Sequence, residues 1–173
     1  IEDAITNKRL VNYIYNPVTI SLNEDEMKNW RSLTQKIISA GFFLKDKTLD
    51  ESNENIKMLR IRRSRIAKKA SNKVPIATSI VLKEYNEGEY WLLYCEDIEQ
   101  LNHMNDILRN HGMSPYIYHS NMSGSKESEL SEYTKNGGIM LSIKCLDEGI
   151  DIPRISHALI LASSQNPRQF IQR

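Results

Sequence analysis

The chain has 173 residues, 40% of them apolar and 26% charged, which suits one domain with its own core and a helical appendage. No run approaches the roughly eighteen apolar residues of a membrane span, and Ile1-Glu2-Asp3-Ala4 lacks the basic and apolar regions of a secretory signal, so a cytoplasmic protein with no membrane partner is expected. A net charge of +1 excludes a uniformly basic chain, and two distant cysteines, Cys95 and Cys145, exclude a disulfide scaffold or a Cys-x-x-Cys site, which leaves them as reduced core residues.

In chain order, Tyr13-Ile14-Tyr15 and Val18-Thr19-Ile20 read as short extended pieces split by Asn16-Pro17. Asn23 followed by Glu26 has capping-box spacing, and Met27, Trp30, Leu33 and Ile37 recur at helical intervals until Gly41. After a polar stretch over 45–55, a second helix is predicted from about Glu54 to Ala70. A third runs from Pro75, placed at a first helical position, to about Tyr85. Residues 57–73 hold Lys57, Arg60, Arg62, Arg63, Arg65, Lys68, Lys69 and Lys73 without one acid, whereas Glu24, Asp25 and Glu26 cluster early. Two readings of this basic helix stay open. It guides nucleic acid with strong salt dependence, or it is a solvated face whose Leu59, Ile66 and Ala70 turn inward while arginine stems pack.

From Gly88 the texture changes. Tyr90–Cys95 is a nearly continuous apolar run, as expected of a strand covered on both faces. An amphipathic helix over Asp97–Asn110, using Ile98, Leu101, Met104 and Leu108, ends at Gly112. Strands are predicted at Tyr116–Tyr118, Gly138–Ile143 and His157–Leu161, with a weaker helix over Ser125–Lys135. This alternation specifies an α/β fold, a parallel sheet flanked by helices, in which ligands meet the loops at the carboxyl ends of strands.

Several chemistries have no residues to carry them. There is no Gly-x-x-x-x-Gly-Lys-Ser/Thr loop, so the chain is not a self-sufficient ATPase. Asp147-Glu148 is followed at once by Gly149-Ile150-Asp151-Ile152-Pro153 and reads as a loop, not as a strand-end magnesium pair. No Gly-x-Gly-x-x-Gly follows a predicted strand, which disfavours a dinucleotide enzyme. His103, His111, His119 and His157 are dispersed and suggest no metal set.

Leu92-Leu93-Tyr94-Cys95, Tyr118-His119-Ser120-Asn121-Met122-Ser123, Ser142 through Pro153 and Gln172-Arg173 form an ordered set. That set resembles motif IV, the block after it, motif V and the start of motif VI in the second RecA-like domain of superfamily 2 helicases. The similarity is to the branch with excision-repair helicases and type I and III restriction motors. Leu10–Tyr15, Val18–Leu22 with Glu26, and Arg62-Arg63-Ser64-Arg65-Ile66 resemble the segment that follows the first motor domain there. On this resemblance residues 1–85 are an interdomain linker and helical segment, and 86–173 a RecA-like P-loop NTPase-type domain.

The resemblance implies ATP and Mg2+ as cofactors, both held mainly by a first RecA-like domain elsewhere in the same polypeptide. It implies DNA as a partner and admits restriction or repair subunits. Gly149 and Asp151 are the nucleotide-facing candidates, glycine because a Cβ would obstruct close backbone approach. Gln172 and Arg173 are the catalytic candidates. The arginine fingers of relatives come three or more residues later and are worth about 10³–10⁵ in rate, so this chain alone is expected to be inactive. Cys95 (with Glu96), His119, Ser120, Ser142 and Lys144 are expected along a phosphate track, with Arg62 and Arg63 on the basic helix. A DNA-binding or interaction module that keeps the fold without hydrolysis is the alternative.

Overall fold

The computed structural model describes residues 14–42, 53–119, 125–143 and 154–161. Among these residues five helices and four strands follow one another as α1 (Glu24–Phe42), α2 (Glu54–Lys68), α3 (Lys73–Glu84), β1 (Tyr90–Cys95), α4 (Ile98–Asn110), β2 (Tyr116–Tyr118), α5 (Lys126–Asn136), β3 (Gly138–Ile143) and β4 (His157–Ile160). The strands form one sheet in the order β2-β3-β1-β4, and every pairing is parallel.

Strand β1 lies between β3 and β4, and its sequence explains why. Trp91, Leu93 and Cys95 enter a core made with Val74, Ala77 and Val81 of α3 and Leu101, Met104 and Leu108 of α4. Leu92 and Tyr94 enter a second core with Tyr118, Tyr133 and Met140 on the opposite face. A strand buried on both sides has no use for alternation, hence the unbroken apolar run. Local chemistry sets the helix starts. Asp97 accepts from the Gln100 N–H at 3.0 Å, and Ser125 from the Ser128 N–H at 3.2 Å, each satisfying a donor with no intrahelical partner.

Outside the sheet, α1 and α2 pack on each other and bury Ile37 and Ile56. The capping box forms as expected. Glu26 N–H donates to Asn23 Oδ1 at 2.8 Å, and Asn23 N–H donates to Glu26 Oε2 at 2.9 Å. Residues 14–23 belong to neither helix nor strand, and Ile14, Tyr15 and Val18 are exposed. One expectation needs correction. Helix α3 begins at Lys73, so Pro75 takes its third position, where a missing N–H still costs no intrahelical bond.

Candidate functional site at the carboxyl edge of the sheet

Parallel pairing brings all four strand ends to one edge, where Glu96, His119 and Leu161 follow β1, β2 and β4. One row before the last pair of β1 and β3, Tyr118, Ser142 and Tyr94 lie side by side across β2, β3 and β1. Ser142 is fully buried, and among the described residues its Oγ has no hydrogen-bond partner. A buried hydroxyl without a partner is uncommon and costs about 1–3 kcal/mol. Its two tyrosine neighbours hold it in an apolar setting at the edge where the sheet meets its loops.

The loop after β1 is charged, and its charges are spoken for. Glu96 Oε2 lies 3.4 Å from Lys68 Nζ, and Asp97 Oδ2 lies 2.8 Å from Lys69 Nζ, which also reaches Glu99. Burial favours the neutral form of Asp97, but the bond from Lys69 and the Gln100 N–H outweigh it and hold the carboxyl below its ordinary value. The same carboxylates hold Lys69 above its ordinary value. Gln100, itself buried, clasps the joint by accepting from the Glu96 N–H at 2.8 Å and donating to the Lys68 carbonyl at 3.4 Å. Lys73, half-buried at the start of α3, donates to the Leu161 carbonyl at the end of β4. Burial pushes its pKa down, with a partial offset from Glu96.

The expected track residues therefore fare differently. Cys95 is 2% exposed, and its thiol is pushed up to about 12 by burial and then by the Asp97 charge. Its side chain is a core group, because odd positions of β1 face α3 and α4, and no phosphate contact is open to it. His119 is half-buried after β2. Ser120, Lys144, Gly149, Asp151, Gln172 and Arg173 lie outside the described residues. Arg62 is exposed, whereas Arg63 turns inward, its guanidinium 5.2 Å from the Trp30 ring centroid and 3.4 Å from Thr34 Oγ1. Arg63 is thus a packing residue of the α1–α2 hairpin.

Sequence reasoning overlooked the lysine–carboxylate joint. A signal was available. Lys73 sits in the first turn of a helix, where the dipole disfavours a cation, and Glu96-Asp97-Ile98-Glu99 offers three carboxylates to a basic segment. Among the described residues no group of three or more His, Cys, Asp or Glu side chains could hold a metal ion. Nor is any described helix long and apolar enough to cross a membrane.

A parallel sheet covered on both faces, with polar groups at its carboxyl edge, is the α/β architecture to which RecA-like domains belong. The chain belongs to the helicase conserved C-terminal domain family, whose model matches residues 72–173. It is similar in fold to the C-terminal part of the Fun30 ATPase domain, with a TM-score of 0.54 at 12% identity, over 88% of this chain and 76% of that one. The Hef helicase domain of Pyrococcus furiosus aligns at 13% identity over 83% of this chain and 31% of that one. Its TM-score of 0.44 is too low to carry weight. A DEAD-box ATP-dependent RNA helicase 22 of Oryza sativa subsp. japonica is 25% identical over 69 residues, which are 39% of this chain and 12% of that relative. The chain thus corresponds to a small part of the length of that curated relative.

Proposed function

We propose that this chain is the second motor domain of an ATP-dependent DNA helicase or translocase of superfamily 2, working with a first RecA-like domain in one cytoplasmic polypeptide. The family match over 72–173 carries the reading. Members of this family are associated with ATP and Mg2+ use. In this proposal Gly149 and Asp151 face the nucleotide, and Gln172 and Arg173 open the phosphate-sensing series. Residues 1–85 join the two motor domains, and 86–173 form the second.

His119, Ser120, Ser142 and Lys144 line a track at the carboxyl edge that follows the sugar–phosphate backbone without reading bases, as a translocating motor requires. The Ser142 hydroxyl, buried one residue before the end of β3 and without a partner among the described residues, supports this assignment as a polar group left for a ligand at that edge. Restriction or repair is the biological setting suggested by the branch resemblance.

The deciding measurement is ATP turnover by the complete protein, with and without DNA, for the unchanged sequence and for Asp151→Ala. DNA-stimulated hydrolysis that Asp151→Ala abolishes in a folded protein is the expected result. A protein that binds DNA yet never hydrolyses ATP would be a binding module instead. RNA belongs in the same assay, because the rice relative is an RNA helicase.

A further inference from the structure

The basic helix divides into two sets of cations that its sequence does not separate. Arg63 is used on Trp30 and Thr34, Lys68 on Glu96, and Lys69 on Asp97 and Glu99. These groups build the protein. Arg60, Arg62 and Arg65 have no ion pair or hydrogen bond among the described residues, although the Arg65 charge is felt at Asp97. Lys57 has only a loose exposed contact, 3.9 Å, with Glu54. No acid follows Glu54 in α2.

We infer that the solvent face of α2, carrying Lys57, Arg60, Arg62 and Arg65, is a second phosphate-backbone track for nucleic acid, separate from the carboxyl edge of the sheet. The inference rests on the motor reading for its choice of partner. Ile56, Leu59, Arg63 and Ile66 turn inward, which leaves Lys57, Arg62 and Arg65 exposed and Arg60 half-buried on the flank of the helix. From Lys57 to Arg65 the helix rises about 12 Å, the axial span of three or four phosphates of one strand. Among the described residues Arg60, Arg62 and Arg65 have no ion pair and Lys57 only its loose contact with Glu54, so a phosphodiester backbone is a natural counter-charge for this face. Met58 and Ile61 are partly exposed among them, which would also suit an anionic membrane surface. Nucleic acid is favoured because the same helix is fastened by Lys68 and Lys69 to the loop after β1, in a family of nucleic-acid motors.

The test is fluorescence anisotropy of labelled single-stranded and duplex DNA and RNA, over a range of salt and without ATP, on the chain and on Lys57→Gln/Arg60→Gln/Arg62→Gln/Arg65→Gln. The expected result is at least a tenfold loss of affinity at low salt. The slope of log K against log salt should also shrink by about 3, for four phosphates released. The paired variant Lys57→Gln/Arg60→Gln should show about half that change, and it decides the matter if the fourfold variant fails to fold. Arg63→Ala should lower the melting temperature and leave the salt slope alone. An unchanged slope in both Gln variants overturns the inference, as does an unchanged chain that binds none of the four probes. Loss of binding only to phosphatidylserine vesicles would assign the face to a membrane and overturn it equally. Because ATP is absent, failure here leaves the Asp151→Ala result intact, and failure of hydrolysis leaves this binding result intact.

Discussion

Gly137 shows how one residue fixes the junction that closes the sheet. It follows α5 with φ +74, and an added Cβ would lie 3.0 Å from the Gly88 carbonyl oxygen and 3.1 Å from that of Glu89. Its neighbour Gly138 donates to the Glu89 carbonyl at 2.7 Å, which sets β3 beside the start of β1. An L side chain at Gly137 is opposed twice, by its own backbone conformation and by backbone atoms that cannot swing aside. Gly137→Ala should destabilise the fold by about 1–3 kcal/mol, read by denaturant unfolding. Gly112→Ala is the comparison, with a similar φ of +79 but open space around the new Cβ, and it should cost less. Equal losses at the two sites would mean that the contact with 88–89 contributes nothing.

At the scale of elements, the joint between α2 and the loop after β1 titrates. Asp97 is held below its ordinary value of 3.8 against the opposing effect of burial. Burial likewise opposes Glu26, yet the N–H groups of Ser71 and Asn23 hold it below 4.5. A carboxylate depressed on folding contributes stability above its ordinary value, and that stability is lost as pH falls through the folded one. The attachment of the hairpin should therefore weaken as pH falls below 4.5 for Glu26 and 3.8 for Asp97. Asp97→Asn keeps a capping oxygen but cannot titrate. It should flatten the acid limb of stability against pH. At neutral pH it should cost no more than about 1 kcal/mol, because water screens a side chain that is 38% exposed. An acid limb as steep as that of the unchanged chain would remove Asp97 from the joint.

The charges of this joint are visible in the sequence, but which of them pair is not, for a physical reason. The bounds of β1, β2 and β3 could be read because burial on two faces leaves an apolar run between glycines and turns. The cap at Asn23 could be read because it is local, and the helix starts read at Asp97 and Ser125 fall on the residues that cap α4 and α5. Which of Arg62 and Arg63 meets Trp30 depends on how two helices roll against each other, and Lys68 meets Glu96 across 28 residues. Neither is encoded in spacing.

At the scale of the whole molecule, two bodies of unequal cohesion share one chain. Both cores that grip the sheet draw on α3, α4, α5 and the strands, and neither includes a described residue of α1 or α2. The hairpin is tied on by polar contacts instead. These are the lysine–carboxylate pairs after β1, the Ser71 N–H on Glu26 at 2.7 Å, and Asn72 Nδ2 on the Ser21 carbonyl at 2.9 Å. Raising ionic strength from 0.1 to 1 M shortens the screening length from about 10 to about 3 Å, which weakens such a joint and barely touches an apolar core. Hydrogen exchange should therefore speed up across α1 and α2 at high salt while β1 and β3 keep their protection. Lys69→Gln at low salt should reproduce the pattern, because it removes the pair with Asp97 and Glu99 together. Parallel acceleration of hairpin and sheet would mean that they unfold as one unit. Separate exchange would make the hairpin an arm on an ionic hinge, able to carry whatever its free arginines bind toward the loop after β1.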